Sequence, residues 1–257
     1  NVLPFQIDYW GKYSSSDSNG EAEQVEGIDT KELYDNPDRL EKIVRHILSI
    51  HDKKTKNREF CAMFCVSSVE NLIQYYELFE KVQAEMAEEA ERNKTYFQPI
   101  SVRTIFSYAT EEQEQQASID ETEAGMIAEE PVDAPNSVDE SRKAKLDRYI
   151  AQYNATYRSS YNTTDSFYEY YQNLGKRVKF YNIKYEKDEQ IDLLLVVNMF
   201  LTGFDSKPLN TIYVDKNLKY HGLIQAFSRT NRVLNDTKPY GNILDFRSQS
   251  DEVDKAI

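Results

Sequence analysis

No run of about 18 apolar residues occurs in the 257-residue sequence, so it offers nothing long enough to cross a bilayer as a helix. Its most apolar stretch, Ile191 to Leu201, is far shorter and reads as a buried strand. Cysteine is scarce: Cys61 and Cys65 are the two present. On a strand they would lie roughly 13 Å apart, at about 3.3 Å per residue, too far for a disulfide. They are expected to be buried thiols of a cytoplasmic protein. Tryptophan occurs once, but tyrosine occurs 19 times, a residue that packs its ring while keeping its hydroxyl wet. The first residues, Asn1-Val2-Leu3-Pro4, lack both a methionine and a signal-peptide pattern, and the expectation is a piece of a longer chain.

A basic excess is also missing. The formal net charge is −13, which argues at first sight against a nucleic-acid partner. Its distribution changes that reading. Residues 110 to 140 carry 11 acids and no lysine or arginine; setting those acids aside leaves 33 acids against 31 bases, a net charge of −2. The rest of the chain is therefore nearly neutral and has room for a basic face. The acidic stretch reads as a solvated insertion, with a docking tail or DNA mimic as the other possibility.

What is present has an alternating pattern. Val2 to Tyr13 forms an apolar-aromatic lead-in, followed by a polar run from Ser14 to Gly27 that reads as a flexible loop. Pro37 suits the first turn of a helix carrying Leu40, Ile43, Val44, Ile47 and Leu48 at helical spacing. Short apolar runs predict strands at Phe60–Val66, Ser101–Tyr108, Asp192–Val197, Asn210–Val214 and Gly241–Phe246. Helices are expected after Ser68 as N-cap, at about Ser141–Tyr157, at Thr164–Phe180 with Thr164 or Asp165 as cap, and at about Tyr220–Leu234. Alternation of this kind implies an α/β fold with a mainly parallel sheet flanked by helices. Ligands of such sheets bind outside the carboxyl ends of the strands.

Three segments at those ends carry candidate chemistry. In the expected helix Gln225-Ala-Phe-Ser-Arg-Thr-Asn-Arg232, the residues Gln225, Arg229 and Arg232 stand at i, i+4 and i+7 and share one face. Two guanidiniums side by side repel unless an anion answers them, and arginine stabilises the charge on a transferring phosphoryl group. Met199 to Asp205 follows a strand; Thr202 and Gly203 can offer a hydroxyl and close backbone N–H groups, and Asp205 can hold a hydroxyl or an arginine. Ser67 and Ser68 sit at a strand-to-helix junction, a natural phosphate position. Each segment taken alone fits a bland reading as well: a solvated helix face, a glycine turn, a simple N-cap. Lys216, Lys219, Arg229, Arg232 and Lys238, against Asp236 alone, add a basic balance nearby.

In this order, Ser67-Ser68, Thr202-Gly-Phe-Asp205 and Gln225-x-x-x-Arg229-x-x-Arg232 resemble motifs IV, V and VI of superfamily 2 helicases. The wording from Leu195-Val-Val through Phe-Leu-Thr-Gly-Phe-Asp205, then Leu209-Asn-Thr-x-Tyr-Val-Asp-Lys-Asn-Leu218, then Leu223-Ile-Gln-Ala-Phe-Ser-Arg-Thr-Asn-Arg232, is similar to the motor (R) subunit of type I restriction enzymes. Ser228, where many other superfamily 2 motors have glycine, fits that family. The specific match spans about residues 190 to 247, with a looser one from about 58.

The resemblance implies a RecA-like helicase second domain over 58–247, with the acidic insertion inside it. Residues 1–57 would form a lead-in strand, loop and helix, and 248–257 would begin a following segment. It implies an ATP-dependent translocase on double-stranded DNA fused to an endonuclease, working with modification and specificity subunits. Arg229 and Arg232 would then be catalytic, reaching ATP phosphates across a cleft; Gly203, Asp205 and Gln225 would be nucleotide-coupled; Ser67, Ser68 and Thr202 would face DNA. No G-x-x-x-x-G-K-[ST] phosphate loop, Asp-Glu box or nuclease carboxylate cluster is evident, so no metal ligand is assigned. ATP and Mg2+ would be held mainly by a first RecA-like domain, which with the nuclease domain would lie upstream, and the chain alone is expected to be inactive. Two other readings remain open: half of another superfamily 2 helicase, or a non-catalytic α/β interaction module docking through its acidic insertion.

Overall fold

The computed structural model describes residues 5–9, 34–108, 139–200, 204–218, 228–230, 232, 238 and 240–247. They build one six-stranded sheet from β1 (Phe5–Tyr9), β2 (Cys61–Val66), β3 (Val102–Thr104), β4 (Leu193–Val196), β5 (Leu209–Asp215) and β6 (Gly241–Asp245). The spatial order is β1-β6-β5-β2-β4-β3, and every pairing is parallel. Among the described residues, four α-helices accompany it: α1 (Pro37–Lys54), α2 (Val69–Asn93), α3 (Glu140–Tyr157) and α4 (Phe167–Lys179). The parallel α/β expectation is met. None of the described helices is long and apolar enough to cross a membrane.

Every residue of β2, β4, β5 and β6 is buried. Parallel strands covered on both faces need apolar side chains pointing both ways, which is why these segments read as continuous apolar runs rather than alternating ones. Successive side chains still take opposite faces. Phe64 points toward α2, meeting the rings of Tyr75 and Phe79 at 4.7 and 6.4 Å, and it also meets Tyr213 and Phe246. Cys61 points the other way, toward the Val178 carbonyl of α4. Helices therefore cover both faces. Both cysteines are free and buried, and burial pushes their thiols up, Cys65 to about 12, which makes them inert core groups.

Local chemistry sets the helix ends. Asn36 caps α1 by accepting from the Asp38 and Arg39 amides, with Pro37 in the first turn. Ser68 caps α2 by accepting from the Asn71 amide at 3.2 Å. Asp139 caps α3. Lys94 (φ 53°) and Arg158 (φ 54°) end α2 and α3 in the left-handed region. Charge then ties neighbouring helices: Arg45 and Lys81 bridge α1 and α2 through Glu41 and Glu85, while Arg142, Lys145 and Arg148 of α3 pair with Glu70, Glu77 and Glu80 of α2.

Three expectations are corrected. The strand expected over Ser101–Tyr108 pairs only at Val102–Thr104; Ile105 is buried without strand pairing, and Phe106 and Tyr108 are buried with their rings against Tyr149 and Phe167. The helix expected from Thr164 begins at Phe167, because Asn162 accepts from the Thr164 and Asp165 amides and holds that stretch as a turn. The helix expected to about Leu234 does not run through its described residues: 228–230 form a turn and Arg232 sits in an isolated bridge. The flexible loop at Ser14–Gly27, nearly all of the acidic segment and residues 248–257 lie outside the described residues.

His51 of α1 is fully buried against Tyr213 (ring centroids 6.3 Å apart), and among the described residues neither ring nitrogen has a hydrogen-bond partner. Burial pulls it down from 6.5 to about 4. Between pH 6.5 and 4 the unfolded chain therefore takes up a proton that the folded chain refuses, and stability falls as pH drops. Each unit in that window costs about 1.4 kcal/mol. His51→Phe should flatten this acid dependence while keeping the packing. Chemical denaturation at pH 7 and pH 5 measures it, and an unchanged slope in the variant would show that the acid sensitivity lies elsewhere.

Candidate active site

The carboxyl ends of β2, β4 and β5 lie side by side, so Ser67, Val197 and Lys216 emerge at one edge of the sheet. Lys216 ties two of the loops by donating to the Val197 carbonyl at 3.1 Å and to Asn198. From there the chain runs back toward the amino edge. Ser206 donates to the Val178 carbonyl at the end of α4, and the Pro208 carbonyl accepts from the Cys61 amide at the start of β2. The segment Phe204–Asp205 lies on this descent.

It is on this descent toward the amino edge, and not at the carboxyl ends where the sequence places them, that the two candidate arginines converge. Arg229 Nη1 donates to the Phe204 carbonyl oxygen at 3.1 Å, and Arg232 Nε lies 3.5 Å from Asp205 Oδ1. The arginines thus share a neighbourhood, as helical spacing suggested, but two adjacent residues of the preceding loop bring them together rather than a common helix face. Arg232 and Asp205 are 45% and 56% exposed. A pair that wet contributes roughly 0–1 kcal/mol, so Arg232 is held weakly and can exchange its partner for a stronger anion. The residues present thus fit a polyphosphate: a solvent-facing guanidinium, with a second one anchored beside it.

Thr230, between them, is fully buried and seats on Gly241 at the start of β6. A Cβ on Gly241 would lie 2.1 Å from Thr230 Oγ1 and 2.9 Å from its carbonyl carbon, so only glycine admits this approach. The apolar run at 241–246 signals a strand; nothing in it signals that its first residue seats the arginine segment.

Ser67 and Ser68 belong to a different set of contacts. Ser68 is committed to capping α2. Ser67 Oγ accepts from Asn71 Nδ2 at 2.8 Å and lies 3.4 Å from Arg247 Nη2. Asn71 Nδ2 also donates to Asp35, a carboxylate that can only accept, which fixes the amide's orientation. Sequence reading missed Asn71 and Arg247 here, because Arg247 is 180 residues from Ser67. The basic balance also resolves: Lys238 is buried, donating to the Lys207 and Leu209 carbonyls at 2.8 Å each, and burial brings it down to about 8. It is a structural cap, not part of a basic face. Thr202, Gly203 and Gln225 lie outside the described residues.

Gly241→Ala should displace Thr230 and both flanking arginines. Overpacking of this kind costs about 1–3 kcal/mol. A melting temperature lowered by several degrees, together with lost activity in an intact subunit carrying the change, is the expected result; an unperturbed melt would refute the seat.

The family described as type I restriction enzyme subunit R domain 3 matches residues 58–248, well over half of the chain. The endonuclease subunit of the type I restriction enzyme SauMRSORF196P of Staphylococcus aureus (strain MRSA252) is 40% identical across the whole chain. That of SsaAORF53P of Staphylococcus saprophyticus is 41% identical, again across the whole chain. A putative MpnIIP endonuclease subunit, N-terminal part, of Mycoplasma pneumoniae is 59% identical over 23% of this chain and 16% of its own length. The chain spans 24% of the length of the two staphylococcal relatives. With its all-parallel sheet and the family match over residues 58–248, the chain belongs to the type I restriction enzyme R subunit family, as a segment matching domain 3.

Proposed function

We propose that this segment is the second half of an ATP-driven motor that translocates double-stranded DNA, within an R subunit whose other parts grip the nucleotide and cut the DNA. The observation that carries the reading is the convergence of Arg229 and Arg232 on Phe204 and Asp205. It joins the segment resembling motif VI to the segment resembling motif V.

Bound ATP with Mg2+ supplies a terminal phosphoryl group that leaves as charge builds on its oxygens. Arg232, exposed and weakly paired, supplies positive charge toward that group. Arg229, anchored on a backbone carbonyl, holds its guanidinium in register beside it. Because Arg229 touches Phe204 and Arg232 touches Asp205, any shift of a guanidinium toward phosphate loosens or tightens the chain at the segment resembling motif V, which by that resemblance faces DNA. Ser67, with its lone pairs engaged by Asn71 and Arg247, presents its own hydroxyl proton outward to a phosphate oxygen. Phosphate contacts of this kind carry no sequence information, which suits a translocase. The modification and specificity subunits would supply site recognition.

The experiment is Arg229→Ala and Arg232→Ala in an intact R subunit carrying this sequence, assembled with its modification and specificity subunits. DNA-stimulated ATP hydrolysis should fall on the order of 10³-fold, the scale for an arginine reaching a transferring phosphoryl group. The segment alone should hydrolyse no ATP. Normal turnover in Arg232→Ala, or motor-like turnover by the segment alone, would overturn the proposal.

A further inference from the structure

Gly175 opens the run Gly175-Lys176-Arg177, whose spacing excludes a phosphate loop. It stands inside α4, where glycine costs helix stability relative to alanine. The structure shows what occupies the space a side chain would need. A Cβ on Gly175 would lie 3.1 Å from Phe200 Cε1, 3.5 Å from Phe200 Cζ and 3.7 Å from Phe204 Cε2. The Phe200 ring thus lies directly on the helix backbone.

That ring has little freedom. It is 4% exposed, and it stacks face to face on Tyr171 of α4, with centroids 4.5 Å apart and planes 10° from parallel. Phe204 meets its edge at 4.8 Å and 67°. Its backbone sits at φ 66°, in the left-handed region, which a bulky residue occupies only when its surroundings impose it. Phe204 in turn offers its carbonyl to Arg229 Nη1 at 3.1 Å. A continuous line of contact therefore runs from Gly175 through Phe200 and Phe204 to Arg229.

We propose that Gly175 is a positioning residue for Arg229: by admitting the Phe200 ring onto α4 it sets the height of Phe204 and so the place of the guanidinium. The inference rests on Arg229 holding its guanidinium beside Arg232 at the phosphate, as proposed above. An alanine at 175 has contacts tighter than ordinary van der Waals packing on the Phe200 side. Phe200 is boxed by Tyr171, so the adjustment passes to Phe204 and on to Arg229.

The test is Gly175→Ala in the intact R subunit carrying this sequence and assembled with its partner subunits. Alanine improves helix propensity, so the melting temperature should stay at or above that of the parent. The kcat for DNA-stimulated ATP hydrolysis should fall about tenfold, since displacements below an ångström suffice for such losses. KM for ATP should change little, because the arginine acts on charge that develops only in the transition state. Phe200→Leu removes the atoms that Cβ would meet. Its own kcat should drop, and Gly175→Ala should then add nothing to Phe200→Leu. An unchanged kcat in Gly175→Ala, or losses that multiply in the double variant, would overturn the inference. Arg229→Ala, run in parallel, separates the two levels. Normal turnover there removes the reading of Arg229 itself, whereas a collapse there with full activity in Gly175→Ala removes only the role given to Gly175.

Discussion

One buried carboxylate ties the edge of the sheet together. Asp215 ends β5 with its side chain fully out of water. Its oxygens accept from Arg39 at 2.7 and 3.0 Å, from Tyr75 at 2.6 Å and from Arg247 at 2.6 Å. Those donors come from α1, from α2 and from the residues just after β6. Arg39 also donates to the Phe246 carbonyl, and the ring of Tyr34 lies 5.0 Å from Arg39 and 3.8 Å from Arg247. A charge removed from water this completely is tolerable only because its acceptor positions are filled by charged or phenolic donors. Breaking such a set by deleting one member is costly, since the others stay buried without their counter-charge. The carboxyl ends of β5 and β6 and the first turns of α1 and α2 are thereby held to one another.

That constraint decides what the edge can present. Arg247, once committed to Asp215, has Nη2 left near Ser67, and Asn71, committed to Asp35, turns its remaining N–H to the same hydroxyl. The hydroxyl's direction is set by two groups that are themselves fixed by carboxylates. On the other side of β2, the loop after β4 is anchored by Lys216 at its start and by Ser206 near its end. Phe204 and Asp205 are carried between these anchors, and the arginines attach to them. Rigid elements thus fix both candidate contacts.

Much of this architecture is legible in the sequence because it depends on local composition. Apolar runs mark β2, β4, β5 and β6, and Pro37 and Ser68 mark the starts of α1 and α2. Reading fails where distant packing substitutes for pairing. Phe106 and Tyr108 look like strand residues, yet among the described residues they are buried with their rings against Tyr149 and Phe167 rather than by strand pairing. Thr164 and Asp165 look like caps, but an asparagine two residues earlier takes their amides first. The Asp215 set could not be foreseen: its partners stand 176, 140 and 32 residues away, and nothing in Tyr-Val-Asp-Lys distinguishes a buried carboxylate from an exposed one. Arg229 and Arg232 were expected to meet on one helix face, but contacts to the adjacent residues Phe204 and Asp205 bring them together instead.

The same residue type does opposite work in this domain, and desolvation is what separates the two kinds. Arg247 and Arg142 have side chains 5% exposed and charged partners already in place. Arg177 is buried, donating to Asn173 and to the Glu189 carbonyl with its guanidinium 4.0 Å over the Tyr157 ring. Removing any of these from its partners would leave an uncompensated charge inside the protein, so none is free to follow a substrate. Arg232 is the reverse: its charge is already hydrated, and its pairing with Asp205 is worth little more than the water it displaces. Transfer of that guanidinium to a phosphate costs almost nothing on the protein's side and gains a charge-assisted contact on the other. Arg229 is half-buried and donates to the Phe204 carbonyl. A net charge of −13 is therefore no obstacle to an anionic ligand. What governs such a ligand is how firmly each positive group is already committed, and Arg232 is held only by the wet carboxylate of Asp205.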